Sequence, residues 1–389
     1  MLPYLLVFGV AAAVAAMATP LIRRFSIRIG AIDKPSDRKV HPKPTPTLGG
    51  IAIFLAFVAA LGVAYAIPTF RETVFRATLE PVGVLLAGLV ILAVGAYDDL
   101  RPASVRTKVA GQVLAAGLMI LTGIQLVFFY FPTQGVIVLG PDLGVPLTVL
   151  WILAMVNAVN LVDGLDGLAA GVVVIASAAF FTFTFASEQA IGAPPSAASL
   201  LSAIAAGAAL GFLPHNFHPA KIFMGDSGSM LLGVILAGAT ISGVGKSAVA
   251  PADKELAALA IPVIVPLLVL AVPFIDVVFA IGRRMRRGRP VTHPDKEHIH
   301  HRLLEIGHSH REAVLLIYFW SAILAGAALA ISFVDSQAAA LALVLVALVL
   351  VALTLVPRMR RQNGRGSETG PDGEGKRPRG AAAVHPPNL

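Results

Sequence analysis

The chain has 389 residues, 57% hydrophobic and 13% charged, with a mean hydropathy of +0.81, and this excludes a water-soluble globular protein. The formal charge of +8 sits in short basic loops between apolar runs, which excludes a nucleic-acid footprint. With no cysteine, disulfides and thiolate metal sites are excluded as well.

Eleven apolar runs are long enough to cross ~30 Å of hydrocarbon as helices. They cover approximately 2–22, 48–68, 81–97, 108–126, 146–162, 168–186, 197–213, 228–245, 256–281, 312–334 and 337–356. The first lacks a basic leader and is followed by Arg23 and Arg24, so it reads as a span with its N-terminus outside rather than a signal peptide. In that orientation 26 of the 30 Lys and Arg lie on the inner side, leaving Arg71, Arg76, Lys246 and Lys254 outside. The expected fold class is therefore an all-α polytopic membrane protein of about 11 transmembrane helices, with its C-terminus cytoplasmic. The β-branched and aromatic runs Val127–Phe131 and Val136–Leu139, separated by Pro132 to Gly135, suggest a small outer β-hairpin near 127–139. Beyond Val356, Gly, Pro, Arg and Glu replace bulky apolar residues. Residues 1–357 thus form the integral membrane domain, and 358–389 a disordered basic cytoplasmic tail.

Five polar motifs interrupt the apolar chain, all on the inner side: Asp33–Gly50, Tyr97–Lys108, Asn157–Gly167, Asn216–Ser229 and Pro294–Arg302. Hydrocarbon disfavours carboxylates and imidazoles, so their clustering on one face reads as an active site. Asp98 and Asp99 are adjacent and repel, which requires a cation, a metal or a shared proton. Solvation of a helix end is the bland alternative, outweighed by Arg101, Arg106 and Lys108 nearby, residues suited to phosphate. Asn157 and Asn160 share a helix face, and Asp163 continues the row. Gly164 and Gly167 then allow a tight turn near a ligand. The spacing of a calcium loop is missing from this run. Asp226, Ser227 and Ser229 fall at a helix N-terminus, where free N–H groups favour anions and where capping is a second role.

In the last motif, His298, His300, His301 and Arg302 offer imidazoles and a guanidinium. Without H-E-x-x-H or cysteine, a pyrophosphate clamp is favoured over zinc. His293, His308 and His310 read as ordinary loop residues. Asp276, near Arg283, is either a buried partner or a cleft residue. Carboxylates, amides and phosphate-seeking bases at an inner interface suit Mg²⁺-dependent handling of a phosphorylated substrate, with a cytosolic donor and a membrane-embedded acceptor.

Several stretches carry a family resemblance: Arg38-Lys39-Val40-His41, Thr45-Pro46-Thr47-Leu48-Gly49-Gly50, Asp98-Asp99, Asn157 to Gly167, Phe223-Met224-Gly225-Asp226-Ser227-Gly228-Ser229 and His298-Ile299-His300-His301-Arg302. Together they resemble the polyprenyl-phosphate N-acetylhexosamine-1-phosphate transferases, in family order from about residue 20 to 330. The resemblance implies transfer of a sugar-1-phosphate from a UDP-amino sugar to undecaprenyl or decaprenyl phosphate in the lipid bilayer, with release of UMP. It implies Mg²⁺, with Mn²⁺ as substitute, and a multi-pass protein of the bacterial cell (inner) membrane whose active site faces the cytoplasm; a homodimer is allowed. Ile299 within the histidine motif favours the N-acetylglucosamine branch, which starts O-antigen, teichoic-acid or arabinogalactan linkers, over the phospho-N-acetylmuramoyl-pentapeptide transferases. UDP-N-acetylglucosamine is thus the expected donor. A secondary transporter or flippase is the alternative of a different class, weakened by the lack of an internal repeat.

Residue by residue, Asp226 resembles the family's metal-binding aspartate and Asn160 the amide that joins it. Asp98 matches the carboxylate assigned to deprotonate the lipid phosphate, with Asp99 beside it. Asp163 corresponds to a group assigned as nucleophile or as substrate-positioning residue. Phe223 resembles the residue that stacks on uracil, with Asn216 and Asp166 in nucleotide recognition. Lys108 looks like the basic residue that contacts the donor. Asn157 joins the substrate-binding set, and His298, His300, His301 and Arg302 match the pyrophosphate or sugar loop.

Overall fold

Apolar runs bounded by proline or serine at entry and glycine or polar residues at exit become helices. The structure, a computed structural model, describes residues 1–35, 43–131, 135–244, 303–305 and 307–333, with isolated positions beyond. Helix α1 (Leu2–Ile29) carries a proline in its first turn and ends at Gly30 in the left-handed region, φ 73°. It runs seven residues past the expected end of the first span, because Arg23, Arg24 and Arg28 are good helix formers even where hydropathy stops. Helix α2 (Gly50–Ala66) meets Pro68 and bends by 89° into Pro68–Phe75, a short α3 (Pro68–Phe70) followed by a π turn. Helix α4 (Glu80–Leu100) is followed by α5 (Val105–Leu121), whose cap Ser104 accepts from the Thr107 N–H at 3.1 Å. Then come α6 (Pro141–Val162), α7 (Leu168–Ala190), α8 (Ala197–Asn216), α9 (Gly225–Val244) and α10 (His310–Phe333).

Among the described residues, seven helices are long and apolar enough to cross a membrane: α1, α4, α6, α7, α8, α9 and α10. With the composition, they make this a multi-pass membrane protein. Helix α5 has only 17 residues, and α2 with its bent continuation is a broken span or re-entrant segment. The expected span 256–281 lies outside the described residues, as does 337–356 apart from isolated positions; the tail at 358–389 lies outside them too.

Helices α8 and α9 form the interior. The apolar windows of α9 and α8 are 89% and 83% buried, against 22% in α1 and 33% in α10. Helix α9 packs on α2, α4, α6 and α8, while α8 packs on α1 and α7. In α8 the repeated Ala, Ser and Gly let neighbouring backbones approach closely, the packing that replaces the hydrophobic drive inside lipid.

Two short antiparallel pairs complete the fold. Strand β3 (Phe128–Phe131) pairs with β4 (Gly135–Val138), Phe128 opposite Val138. Strand β1 (Ile32–Asp33) pairs with β2 (Thr45–Pro46), and this second pair positions the site. Pro46 O accepts from the Phe223 N–H at 2.8 Å, Phe223 O from the Gly49 N–H at 3.0 Å, and Met224 O from the Gly50 N–H at 3.0 Å. The first loop is thus laced onto the segment that leads into α9. Between these bonds Leu48 holds φ 73°, a conformation costing a leucine about 1–2 kcal/mol, and its side chain is buried.

Candidate active site

The N-terminus of α9 organises the site. Gly225 takes φ 70° to enter the helix, and a Cβ there would overlap the Asp99 carboxylate. Asp99, from the last turn of α4, accepts from Asp226 N at 2.8 Å, Ser227 N at 3.3 Å and Ser227 Oγ at 2.6 Å. It therefore satisfies orphan donors of α9 from another helix, doing in trans what an N-cap does in cis. Self-capping by Asp226 or Ser227 is the secondary role the sequence allows; the carboxylate that accepts these N–H groups comes instead from 127 residues upstream.

With its backbone fixed, Asp226 reaches two helices. Its Oδ2 lies 2.5 Å from Lys108 Nζ on α5, and its Oδ1 accepts from Asn160 Nδ2 on α6 at 3.1 Å. Asn160 also donates to Ser229 Oγ at 2.9 Å. Lys108 Nζ lies 2.7 Å from Asp98 Oδ2, and Asp98 Oδ1 accepts from the Ala103 N–H at 2.7 Å. The Lys108, Asp98 and Asp226 side chains are 27%, 17% and 24% exposed, so these ion pairs are partly desolvated yet open to solute.

Asp163 lies one residue beyond α6. Burial of its carboxyl pushes the pKa well above the ordinary carboxylate range, and the negative charges of Asp226, Asp99 and Asp166 push it further. Asp98 and Asp226 share the ammonium of Lys108, while Asp99 and Asp163 stand next to Asp226 without a cation of their own among the described residues, so carboxylates outnumber the cation. The donors are hard oxygens, the set that Mg²⁺ or Mn²⁺ selects. Asp226 fits as a ligand. Asn160 presents its nitrogen to Asp226 and Ser229 and thus orients that carboxylate; as a ligand it would present its oxygen.

A second group holds the turn between α6 and α7. Asp166 Oδ2 lies 2.8 Å from His218 Nδ1 and accepts from the Ala220 N–H at 3.0 Å. The Asp166 N–H donates to His310 Nε2 at 3.0 Å. Asn216, 2% exposed, accepts from the Gly167 N–H at 3.1 Å and donates to Ile222 O at 3.0 Å. Both ends of its amide are used by backbone, so Asn216 braces the turn. Phe223 is half-buried, its backbone laced to Pro46 and Gly49.

His310 corrects the sequence reading. It is the first residue of α10 and touches the Asp166 turn, rather than being an ordinary loop residue. His218 and Gln112 were also missed. Gln112, 1% exposed and one turn after Lys108, accepts from Asn157 Nδ2 at 2.9 Å. Asn157 also donates to Leu153 O in its own helix at 2.7 Å; its bond to Gln112 puts it on the α5 side of α6 while Asn160 faces α9, so the two amides serve different neighbours rather than one shared row. His298, His300, His301, Arg302 and Asp276, like Arg38, Lys39, Val40 and His41, lie outside the described residues.

The sequence pattern of glycosyl transferase family 4 matches residues 81–244, the stretch holding every one of these carboxylates and amides. The decaprenyl-phosphate N-acetylglucosaminephosphotransferase of Mycobacterium tuberculosis is 43% identical over 342 residues, 86% of this chain and 84% of the relative. A probable undecaprenyl-phosphate N-acetylglucosaminyl 1-phosphate transferase of Bacillus subtilis is 39% identical over 300 residues, 77% of each chain. The undecaprenyl-phosphate alpha-N-acetylglucosaminyl 1-phosphate transferase of Salmonella typhimurium is 31% identical over 316 residues, 79% of this chain and 78% of the relative. Identity of this extent over most of the chain, together with the family match across the stretch that builds the site, places the chain in glycosyl transferase family 4, among the polyprenyl-phosphate N-acetylhexosamine-1-phosphate transferases.

Proposed function

We propose that the protein transfers N-acetylglucosamine-1-phosphate from UDP-N-acetylglucosamine to decaprenyl or undecaprenyl phosphate, releasing UMP, as the first lipid-linked step of a cell-envelope polysaccharide. The relatives' names support the donor sugar and the acceptor class. The observation that carries the reading is the Asp98–Lys108–Asp226 bridge, which joins the ends of α4, α5 and α9 at a partly exposed position. The distribution of basic residues supports a cytoplasmic site at the bacterial inner membrane.

An oxygen of the polyprenyl phosphate attacks the sugar-bearing phosphorus of the donor, the bond from that phosphorus to the UMP oxygen breaks, and UMP departs. Mg²⁺ held by Asp226 would supply charge neutralisation at the donor pyrophosphate. Asn160 and Asp99 fix the orientation of Asp226. Lys108 sits between the acceptor-side carboxylate and the metal-side carboxylate, where its ammonium can also meet phosphate. Asp98 orients the acceptor; the second pKa of a phosphate ester is about 6, so removing its proton at neutral pH contributes little. Burial first, and the nearby carboxylates after it, disfavour the Asp163 anion, which supports direct attack over an aspartyl-phosphate intermediate. Asp166 and Phe223 are assigned to the nucleotide.

The test is UMP release by purified protein with polyprenyl phosphate and Mg²⁺, comparing UDP-N-acetylglucosamine with UDP-N-acetylmuramoyl-pentapeptide and other UDP-sugars. Preference for the muramoyl donor, or no lipid-dependent UMP, would reject the assignment. A phosphorylated Asp163 or Asp98 trapped without acceptor would reject the one-step path.

A further inference from the structure

Asp166, His218 and His310 form a cluster outside the Lys108 bridge, and their nitrogen and oxygen atoms lie within 4.8 Å of one another. A carboxylate with two imidazoles invites a transition-metal reading. The ring geometry opposes it. The two imidazoles are stacked, centroids 4.2 Å apart and planes 18° from parallel. Imidazole lone pairs lie in the ring plane, so an ion about 2 Å from one nitrogen and in its plane stands well out of the plane of the other ring. Both facing nitrogens are also engaged already, His218 Nδ1 with the Asp166 carboxylate and His310 Nε2 with the Asp166 N–H.

What the stacked pair does is grip one residue at two points. His310 Nε2 accepts a backbone N–H, so the ring is neutral with its proton on Nδ1. His218 holds the carboxylate of the same residue, joined there by the Ala220 N–H. The next residue on α10, Arg311, donates through Nε to His218 O at 3.1 Å, tying the two histidine segments together. Two turns further along α10, Tyr318 Oη donates to Gly167 O. Its ring lies over Gly171, where a Cβ would overlap the phenol. One helix thus supports both the turn and the loop that holds the turn's carboxylate.

We propose that His218 and His310 are positioning residues that lock the Asp163–Gly167 turn from the N-terminal end of α10, and so set affinity for the nucleotide half of the donor. This rests on the assignment of Asp166 to nucleotide recognition made above.

The test compares His310→Leu with His310→Gln, whose side-chain carbonyl reaches about as far as Nε2, in full-length protein in lipid nanodiscs. His310→Leu should raise the KM for UDP-N-acetylglucosamine on the order of threefold to tenfold, the worth of one hydrogen bond. The acceptor KM and kcat should stay in place, and His310→Gln should restore most of the loss. Amide hydrogen exchange read without substrates should quicken at Asp166 in the leucine variant and not in the glutamine variant. Unchanged exchange overturns the lock. Quickened exchange with an unchanged donor KM, or with both substrate KM values raised together, overturns its link to the donor. Stoichiometric zinc in the wild-type protein that His310→Leu loses would overturn the proposal in favour of a metal site. A wild-type protein inactive on UDP-N-acetylglucosamine would instead reject the assigned donor, while exchange still decides the lock.

Discussion

Two carboxylate clusters occupy opposite ends of the α7–α8 pair, and they are built on opposite principles. At the end of α7, Glu188 is 9% exposed and accepts from Tyr4 Oη at 3.2 Å, Ser196 N at 3.1 Å, Ser196 Oγ at 2.5 Å and Ser199 Oγ at 2.8 Å. Every one of those partners is a neutral donor, and Ser196 and Ser199 sit at the start of α8, where the helix dipole also welcomes an anion. At the other end, Asp98 and Asp226 share one ammonium with Asp99 and Asp163 close to Asp226, and Asp163 is held above its ordinary range by burial and then by those acidic neighbours. A buried acid surrounded by donors is a staple. A buried acid surrounded by acids holds repulsion that a cationic ligand relieves, and burial alone does not separate the two cases.

The sharpest way to break this contrast is Asp226→Asn. Turnover should fall at least on the order of a hundredfold to a thousandfold, with the melting temperature maintained. Chelation should likewise abolish turnover, and added Mg²⁺ or Mn²⁺ restore it; activity indifferent to chelator would remove the divalent ion from the mechanism. Next, Asp163→Asn should lower kcat but raise the melting temperature of chelated protein by roughly 2 °C, the shift that about 1 kcal/mol gives in a large domain. The sign follows from the raised pKa. Asp163 contributes its full stability below the unfolded carboxylate value near ~3.9, and that contribution is lost as pH rises through the folded value. The gap between variant and wild type should therefore widen with rising pH; a gap that narrows would show that Asp163 is not crowded by charge.

Glu188→Ala should do the reverse. It leaves buried donors without an acceptor and costs about 1–3 kcal/mol, read as a lower melting temperature with kcat per folded molecule unchanged. Lost turnover at full stability would erase the distinction between the two ends. The smallest effect is expected at Asp99, which shares both characters. Asp99→Ala should cost about 1 kcal/mol, as loss of a helix cap does, and lower kcat because Asp226 loses its anchor.

The sequence made the crowded end legible and left the staple unseen. Hydropathy interrupted by Asp98, Asp163 and Asp226 is visible from composition, because charge inside apolar runs is costly whatever the fold. The Glu188 cluster joins Tyr4 to Ser199 across 195 residues, and no local period announces such a meeting. His310 was overlooked for the same reason: its partner at Asp166 is 144 residues away, and a histidine between polar residues looks like a loop. Gln112 could have been found, since it follows Lys108 by one helical turn and shares its face. The role of Asp99 was hidden because a cap is sought within its own helix, whereas this one is lent by α4. Helix ends misled in the same way: α1 continues through arginines that hydropathy reads as the membrane boundary.

The helix that supports the Asp166 turn is itself at the rim. Its apolar window is only one third buried, 33%, and among the described helices its main neighbour is α7. With so little of α10 covered by the described helices, annular lipid is expected to help keep it upright, and solubilisation that strips this lipid should loosen α10 before it reaches α9, walled in on several sides. If the proposed roles of Asp226 and Asp166 hold, a detergent extract should keep its response to divalent ions while losing grip on the sugar nucleotide. Donor affinity measured in micelles is, on this architecture, a property of the detergent as much as of the enzyme.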